Sequence, residues 1–281
     1  MLKLNQDGAA LALNCDEKTF CQMKCDSFNA SVGNLNEVDG YDCPICKNKG
    51  VYSVPQENDS GHWYELCRYC KCHNIRQNIR RLMKSGLKNI IHDYTFEKYH
   101  DEEPWQKAVK KAAMKFIEDD DNTWFFIGGA SGSGKTHICT AIAGHYLNQG
   151  KTVKYMLWRD DVVKLKANVN DAEAYEKKMQ DFKTAEVLYI DDLFKTGKAV
   201  DGQPQKPTGA DINIAFELLN YRYNNHALIT LISSESRVTD ILDIDEAIGG
   251  RIAERTIQHG YGINIKPDRN KNYRLKGSVE L

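Results

Sequence analysis

One glycine-rich stretch constrains the fold of this chain more than any other part of its sequence: Gly129-Ala130-Ser131-Gly132-Ser133-Gly134-Lys135-Thr136, followed by His137. It fits the phosphate-loop pattern GxxxxGK[ST] and lies between an apolar strand, predicted over 124–127, and an amphipathic helix, predicted over 135–148. The glycines let backbone N–H groups turn toward phosphate oxygens, and the helix N-terminus adds partial positive charge. The stretch therefore predicts a site for the phosphates of a nucleotide.

A second motif supplies the carboxylates that such a site needs. The apolar run Val187–Ile190 ends in Asp191 and Asp192, as expected of a Walker B strand. We expect Lys135 to reach the β- and γ-phosphates, and Thr136 and Asp191 to hold Mg²⁺. Asp192 is then placed to orient or deprotonate the attacking water. ATP and Mg²⁺ are the predicted ligands, and ATP hydrolysis is the predicted reaction.

Helices and strands alternate through the rest of the chain. This alternation predicts an α/β fold with a mostly parallel sheet of five strands, covered by helices on both faces. The predicted strands are 124–127, 153–157, 187–190, 228–232 and, more weakly, 261–265; the predicted helices are 135–148, 160–182 with a break near Asn168, 209–224 and 238–255.

Cysteine is concentrated near the N-terminus, where eight of the nine cysteines precede residue 73. Cys43 and Cys46 form one C-x2-C pair and Cys67 and Cys70 form another, which is the spacing of a four-thiolate Zn²⁺ site. Cys72 is an alternative ligand, because Cys70 and Cys72 can replace Cys67. A segment this short has no room for an apolar core, so the metal is expected to be structural.

These patterns divide the chain into four segments. We predict a polar N-terminal segment over 1–40, a zinc-binding module over 41–73, a basic helix and linker over 74–103, and the ATPase core over 104–281. The basic helix is expected over 74–88, where its charged face either contacts phosphates or is simply solvated. That face carries Arg76, Arg80, Arg81, Lys84 and Lys88.

The net charge of -1 argues against a protein that coats nucleic acid by bulk charge. No run of 18 apolar residues and no signal-peptide pattern occurs in the sequence. The expectation is a protein of the cytoplasm, in a bacterium or a phage-infected host cell, without membrane contact.

Taken together, the motifs from Tyr41 onward resemble the helicase-loader family of DnaC and DnaI, especially the versions carried by phages. The resemblance includes the cysteine pairs, the phosphate loop with its preceding strand, and the Walker B strand with the Leu193-Phe194 that follows. It also includes these stretches: 80–87, Tyr94-Thr95-Phe96, 210–213, 219–223, 232–235, 243–252 and 272–275. It implies an AAA+ core that binds ATP and single-stranded DNA, a zinc-containing region that grips a replicative DNA helicase, and ATP-dependent homo-oligomerisation.

The resemblance also implies an arginine finger, and Arg251 matches its position; Arg255, one helical turn on, is the alternative. Two positions depart from the family pattern. Glu235 stands where a neutral polar sensor residue is usual, and it would repel a γ-phosphate unless it is paired with a cation. Asp192 stands where many members have Glu. Both departures favour slow, switch-like hydrolysis. The chain after Ile265 is too short for a helical lid domain.

The predicted function is ATP-dependent loading of a replicative helicase onto single-stranded DNA. Lys195, Lys198 and Lys206, which follow the Walker B strand, are candidate DNA contacts. The principal alternative is a transposase-helper ATPase of the IstB type, which normally lacks a four-cysteine module. A small-molecule kinase and a zinc-dependent DNA-binding module with an idle nucleotide site are further alternatives.

Overall fold

The computed structural model describes residues 15–82, 90–129, 131–197, 205–266, 268 and 271–272. The chain forms two compact units, residues 1–76 and residues 77–281. Ala130, Lys198 and the predicted helical residues 83–88 lie outside the described residues.

The first unit is built on an antiparallel hairpin of β1 (Val51–Glu57) and β2 (Trp63–Tyr69), with Ser53 opposite Cys67. Helix α1 (Glu17–Ala30) packs on this hairpin. The Asn29 side chain bonds both the N–H and the C=O of Ser53, at 2.9 and 2.8 Å, and the Ser53 hydroxyl donates to the buried Cys25 sulfur at 3.3 Å. Much of the segment over 1–40 therefore belongs to the same unit as the cysteine pairs.

Two more helices flank the hairpin: α2 (Leu35–Asp39) precedes it, and α3 (Cys72–Leu82) follows it. The predicted basic helix thus begins two residues earlier than expected, directly at a cysteine.

The second unit contains the parallel five-stranded sheet that the alternation predicts. Its strands are β3 (Trp124–Gly129), β4 (Val153–Leu157), β5 (Val187–Asp191), β6 (Ile229–Ser234) and β7 (Gly262–Ile265). The order across the sheet is β4-β5-β6-β3-β7, and every neighbouring pair is parallel. The helices are α4 (Ile90–Asp93), α5 (Pro104–Asp119), α6 (Lys135–Asn148), α7 (Trp158–Ala167), α8 (Ala172–Lys183), α9 (Gly209–Asn224), α10 (Val238–Ile244) and α11 (Glu246–Ile257).

Strand β3 shows why both faces of this sheet are covered. Its residues alternate between two apolar cores: Phe125 and Ile127 pack in one, and Trp124 and Phe126 pack in the other. All four side chains are fully buried. A central parallel strand has no solvent face, so it reads as a continuous apolar run.

The parallel arrangement positions the site, because it brings the carboxyl ends of β3, β5 and β6 to one edge of the sheet. Gly129 ends β3 there with φ 110°, and a Cβ at this position would lie 2.0 Å from the Ile265 carbonyl oxygen. Only glycine fits where β3 passes so close to β7.

The region predicted as one helix over 238–255 is two helices. Asp245 has extended backbone angles, φ -155° and ψ 115°, and its side chain caps α11 by accepting from the Ile248 N–H at 2.8 Å. An Asp at the N-cap satisfies a helix N–H that has no intrahelical partner, so the chain restarts rather than continues.

Candidate nucleotide site and cysteine cluster

The phosphate loop ends at the first residue of α6, Lys135. Gly129, Gly132 and Gly134 all have positive φ, which turns the loop back on itself before the helix begins. The Lys135 side chain is 5% exposed, and its Nζ donates to the Gly129 carbonyl at 2.9 Å. Burial lowers the pKa of Lys135, while the nearby carboxylates act in the opposite direction. The loop therefore has the form of a phosphate cradle around one buried cation.

Asp191 is the buried carboxylate of the site, with 4% exposure. One of its oxygens accepts from the hydroxyls of Tyr189 at 2.7 Å, Thr136 at 3.3 Å, and Ser233. The other accepts from Tyr155 at 2.9 Å. The structure therefore joins Thr136 and Asp191, the two residues predicted to hold Mg²⁺.

Asp192 faces differently, because its φ of 58° turns the chain out of β5. One of its carboxylate oxygens accepts from Lys195 Nζ at 2.8 Å, and the same Nζ lies 3.1 Å from Glu235. Burial works against the charge of Lys195, but these two carboxylates raise its pKa above the usual value. Burial likewise raises the pKa of Glu235, but Lys195 outweighs it and lowers that pKa. Glu235 thus has the cation that its position requires.

A cavity of about 490 Å³ opens over these residues, with Lys135, Thr136, Asp192, Lys195 and Glu235 in its lining. The rings of Tyr94, Tyr99 and His137 also line it. Tyr94 stacks on His137 with ring centroids 4.5 Å apart, and Tyr99 meets the same imidazole edge-on at 5.2 Å.

His137 is held in place among these rings. Its Nε2 donates to the Thr95 carbonyl at 2.8 Å, and burial lowers its pKa, so the ring is neutral near pH 7. Charged and aromatic side chains therefore line one cavity beside the phosphate loop.

The two candidate arginines of α11 have different surroundings, and neither lines this cavity among the described residues. Arg255 bonds the Asn122 carbonyl at 2.9 Å and His226 at 2.7 Å, which ties α11 to the start of β3. Arg251 lies against α9, where it donates to Asn220 at 2.8 Å and its guanidinium covers the ring of Phe216 at 5.0 Å. Arg255 therefore has a structural role within the chain.

Two basic residues have surroundings that the sequence did not predict. Arg76 is not on a solvated helix face: it is 3% exposed and paired with the buried Asp39. Lys195 lies at the nucleotide cavity, where it pairs with two carboxylates, and its contact to DNA stays a prediction. Lys206 is exposed.

Four thiols come together in the first unit: Cys43, Cys46, Cys70 and Cys72, with all four sulfurs within 4.8 Å of one another. The Cys43–Cys70 and Cys46–Cys72 sulfur distances are 3.7 and 3.5 Å. These are near the ~3.8 Å edge of a tetrahedron with metal–sulfur bonds of about 2.3 Å. They are too long for a disulfide bond. The donor set and its spacing therefore fit Zn²⁺.

Cys67 is not in this cluster, which corrects the first of the two predicted ligand sets. It lies within the extended strand β2 and is exposed. A strand rises about 3.3 Å per residue, so Cys67 cannot fold back beside Cys70. Cys70 follows the last residue of β2 and Cys72 begins α3, so the chain turns between them.

Polar groups surround the four thiols. The Gly50 N–H donates to Cys46 at 3.2 Å, and Asn48 accepts from the Cys43 N–H at 2.7 Å. Burial raises the pKa of Cys46, but the Gly50 N–H and the neighbouring thiols outweigh it and lower that pKa to about 7. The Arg76 guanidinium donates to Asn48 at 2.9 Å and also bonds Cys72. A cation beside four thiolates offsets part of their charge.

Among the helices of the described residues, none has the length and apolar character that crossing a membrane requires.

Residues 71–280 match the family model described as IstB-like ATP binding protein. The phage-like element PBSX protein XkdC of Bacillus subtilis (strain 168) is 33% identical over 248 residues, which is 84% of this chain and 87% of that protein. The replicative helicase loader DnaC of Escherichia coli (strain K12) is 26% identical over 117 residues, which is 41% of this chain and 48% of that protein. The crystal structure of DnaI superposes with a TM-score of 0.50 at 19% identity, over 64% of this chain and 93% of that one. That structural likeness supports the fold.

Proposed function

This chain belongs to the family of IstB-like ATP binding proteins, and from that premise we propose that it is an ATPase that loads a replicative DNA helicase onto single-stranded DNA. The observation that carries the proposal is the convergence of Lys135, Thr136 and Asp192 on one cavity at the carboxyl edge of the sheet, with Asp191 accepting a hydrogen bond from Thr136. These residues come from two separate parts of the chain, and together they supply the phosphate contact, the metal ligands and the base that phosphoryl transfer needs.

The phosphates bind at the phosphate loop in this proposal. Lys135 leaves the Gly129 carbonyl to bind the β- and γ-phosphates, and the backbone N–H groups of the loop bind the remaining oxygens. Thr136 and Asp191 supply oxygen ligands 3.3 Å apart, which suits Mg²⁺. When bound, Mg²⁺ neutralises charge that develops on the phosphates during hydrolysis.

The rings of Tyr94 and His137 take the base in this proposal. Tyr94 and His137 form a stacked pair beside the phosphate loop. A flat purine can stack on such a pair, and because the imidazole is neutral no charge has to be desolvated when it does.

The cluster of Cys43, Cys46, Cys70 and Cys72 would hold one structural Zn²⁺ in this proposal. Four thiolates leave no open position for a substrate. The metal would therefore stabilise the first unit rather than take part in chemistry.

Two observations support a loader. Relatives at 26% identity or below in part of the chain are named replicative helicase loader DnaC, and the four-cysteine cluster fits the zinc-containing region that the resemblance implies. Single-stranded DNA is the proposed nucleic-acid partner, and contacts to its phosphates would weaken steeply with added salt.

A transposase-helper ATPase is the second candidate function. The description of the matching family model favours it, since that model is named for IstB. The two functions share the ATPase and differ in the partner protein, so the partner is what an experiment must identify.

A loading assay on circular single-stranded DNA tests the loader function, since a ring helicase cannot thread onto a strand without ends. The assay combines the chain, ATP and the replicative helicase of the organism in which the chain is made. We expect helicase to stay on the circle after gel filtration with the wild-type chain but not with Lys135→Ala, which lacks the buried cation. Binding to a transposase with no helicase loading would favour the second candidate.

A further inference from the structure

Lys195 lines the nucleotide cavity together with Lys135, and it bridges two carboxylates. Its Nζ is 2.8 Å from Asp192 on the Walker B side and 3.1 Å from Glu235 on the opposite side. All three side chains line the cavity that contains the phosphate loop.

The geometry of this bridge is fixed by the backbone on both sides. The turn after β5 is tied to β6 by the Asp192 N–H to Ser233 hydroxyl bond at 3.0 Å, by the Leu193 N–H to Ser233 carbonyl bond at 2.8 Å, and by a Ser234 hydroxyl bond. The Lys195 N–H closes the turn onto the Asp192 carbonyl at 2.9 Å. Glu235 follows β6 directly. The three charges are therefore neighbours because the two strands are neighbours.

A carboxylate at position 235 is electrostatically unfavourable beside ATP. The γ-phosphate carries negative charge, and two like charges repel more strongly in a site of low polarity than in water. Lys195 removes this difficulty when it stays on Glu235. An ammonium group has three donors, so it can bind Glu235 and a phosphate oxygen at the same time.

We propose that Lys195 is a γ-phosphate ligand tethered by Glu235, and that it leaves Asp192 for the phosphate when ATP binds. This inference rests on the proposed ATPase function. Without ATP, Lys195 occupies the carboxylate of Asp192, and the site has no free base. With ATP, the same lysine moves onto the γ-phosphate and releases Asp192 to face the water.

Hydrolysis of the γ-phosphate then proceeds with Asp192 as the base. The water oxygen forms a bond to the γ-phosphorus, and the bond from that phosphorus to the bridging oxygen breaks with its electron pair left on ADP. The proton of the water passes to the Asp192 carboxylate. Recognition of the third phosphate thus controls when the base is available.

Nucleotide affinities of four full-length proteins test this inference: wild type, Lys195→Met, Glu235→Gln and the double variant. ATP and ADP are titrated separately in the presence of Mg²⁺. Lys195→Met should lose roughly tenfold to a hundredfold in ATP affinity, as expected for a hydrogen bond to a charged group, with little change in ADP affinity. The double variant should recover most of the ATP affinity, because no unpaired carboxylate then faces the phosphate.

Rates of ATP hydrolysis further distinguish the roles of Lys195 and Glu235. Both variants that lack Lys195 should hydrolyse ATP slowly, even where ATP binds well and Asp192 is free, because no lysine then stabilises the charge that develops on the γ-phosphate. Glu235→Gln should bind ATP but also turn it over slowly, because its lysine loses the tether and stays on Asp192. Lys164→Met is a matched control: Lys164 is exposed and pairs with Asp161 at the same spacing of three residues, on α7. It should change neither affinity.

A purely structural role for Lys195 predicts a different pattern of nucleotide affinities. If Lys195 only holds the turn, ATP and ADP affinities fall together and Glu235→Gln rescues neither, which would overturn the inference alone. A folded wild-type chain that binds no nucleotide would refute the proposed function and this inference with it. Thermal unfolding of each variant checks that the differences arise in folded protein.

Discussion

At the scale of single residues, the two adjacent aspartates of the site have opposite surroundings. Asp191 is buried and accepts from four hydroxyl groups. Asp192 is turned toward the cavity by its positive φ, and a single lysine holds its carboxylate. A carboxylate such as Asp191, fixed by several hydrogen bonds, suits a metal ligand. A carboxylate such as Asp192, which becomes free when one lysine moves away, suits contact with the reacting water.

Replacing Asp192 by Asn should therefore stop turnover without preventing ATP binding. Asn keeps the size of the side chain and tolerates the left-handed backbone at this position. Loss of the base should slow hydrolysis by about 10²–10⁴-fold. Phosphate release and ATP titration on the same sample measure the two properties. Hydrolysis at the wild-type rate would show that Asp192 is not the base.

The sequence predicts some of these residues and not others. The phosphate loop and the Asp191–Asp192 pair follow local patterns, so spacing alone predicts them. Tyr155, Ser233 and Lys195 carry no local signal, because their roles come from contacts between strands that are distant in the chain. The pairing of Lys195 with Glu235 needs β5 and β6 to be neighbours, and spacing does not reveal strand order.

At the scale of elements, one buried arginine joins α8, α9 and β6. Arg222 of α9 is fully buried. It donates to the carbonyls of Phe182, Lys183 and Ala185 at 2.9–3.0 Å, to the Ile229 carbonyl at 2.6 Å, and to the Thr230 hydroxyl at 2.9 Å. The last carbonyls of a helix lack intrahelical partners, so this guanidinium supplies donors to the carbonyls at the C-terminal end of α8.

Arg222→Met should therefore destabilise the second unit, since Met fills similar space but leaves five acceptors without their donor. A single buried group without a partner costs about 1–3 kcal/mol, and the joint loss should be at least about 3 kcal/mol. Chemical denaturation measures the free energy of unfolding. Arg159→Met, at an exposed arginine of α7, is the control and should unfold like the wild type. Equal stability of the two variants would contradict the assigned role.

The cysteine cluster shows how secondary structure decides between two ligand sets of similar spacing. The C-x2-C pairs predicted Cys67, but β2 stays extended through Tyr69, and the chain turns only at Cys70. Metal ligands two positions apart, Cys70 and Cys72, become possible because Cys72 starts a helix. No strand is predicted from the sequence in this region, so spacing alone left both ligand sets open, with Cys72 as the alternative.

Zinc content should follow that distinction. Purified without chelators, the wild type and Cys67→Ser should each contain about one zinc per chain, whereas Cys72→Ser should lose most of it. Loss of the metal should also destabilise the first unit, because the four cysteines form a buried cluster within it. Elemental analysis and thermal unfolding measure the two effects. Zinc retained in Cys72→Ser and lost in Cys67→Ser would restore the first ligand set.

At the scale of the whole molecule, the position of Arg251 raises the question of assembly. In the proposed reaction, charge on the γ-phosphate is best stabilised by a further cation from the side away from Lys135. Arg251 matches the family position for that cation, yet it lies against α9 and does not line the cavity of its own chain among the described residues. Arg255 is tied to Asn122 and His226 within the chain. Arg251 is therefore the residue that we expect to act on the nucleotide of a neighbouring copy.

Such an arginine makes hydrolysis depend on contact between copies. Specific activity should rise with protein concentration, and Arg251→Ala should bind ATP normally but hydrolyse it about 10³–10⁵-fold more slowly. The decisive measurement mixes Arg251→Ala with Asp192→Asn, two variants that are each inactive. Some mixed interfaces then combine an intact Asp192 on one copy with an intact Arg251 on the next, so part of the activity should return. Lys164→Met mixed with Asp192→Asn gives the reference for simple dilution. Full assembly without any recovery in the Arg251→Ala mixture would exclude action between copies, because the two intact groups would then have met without effect.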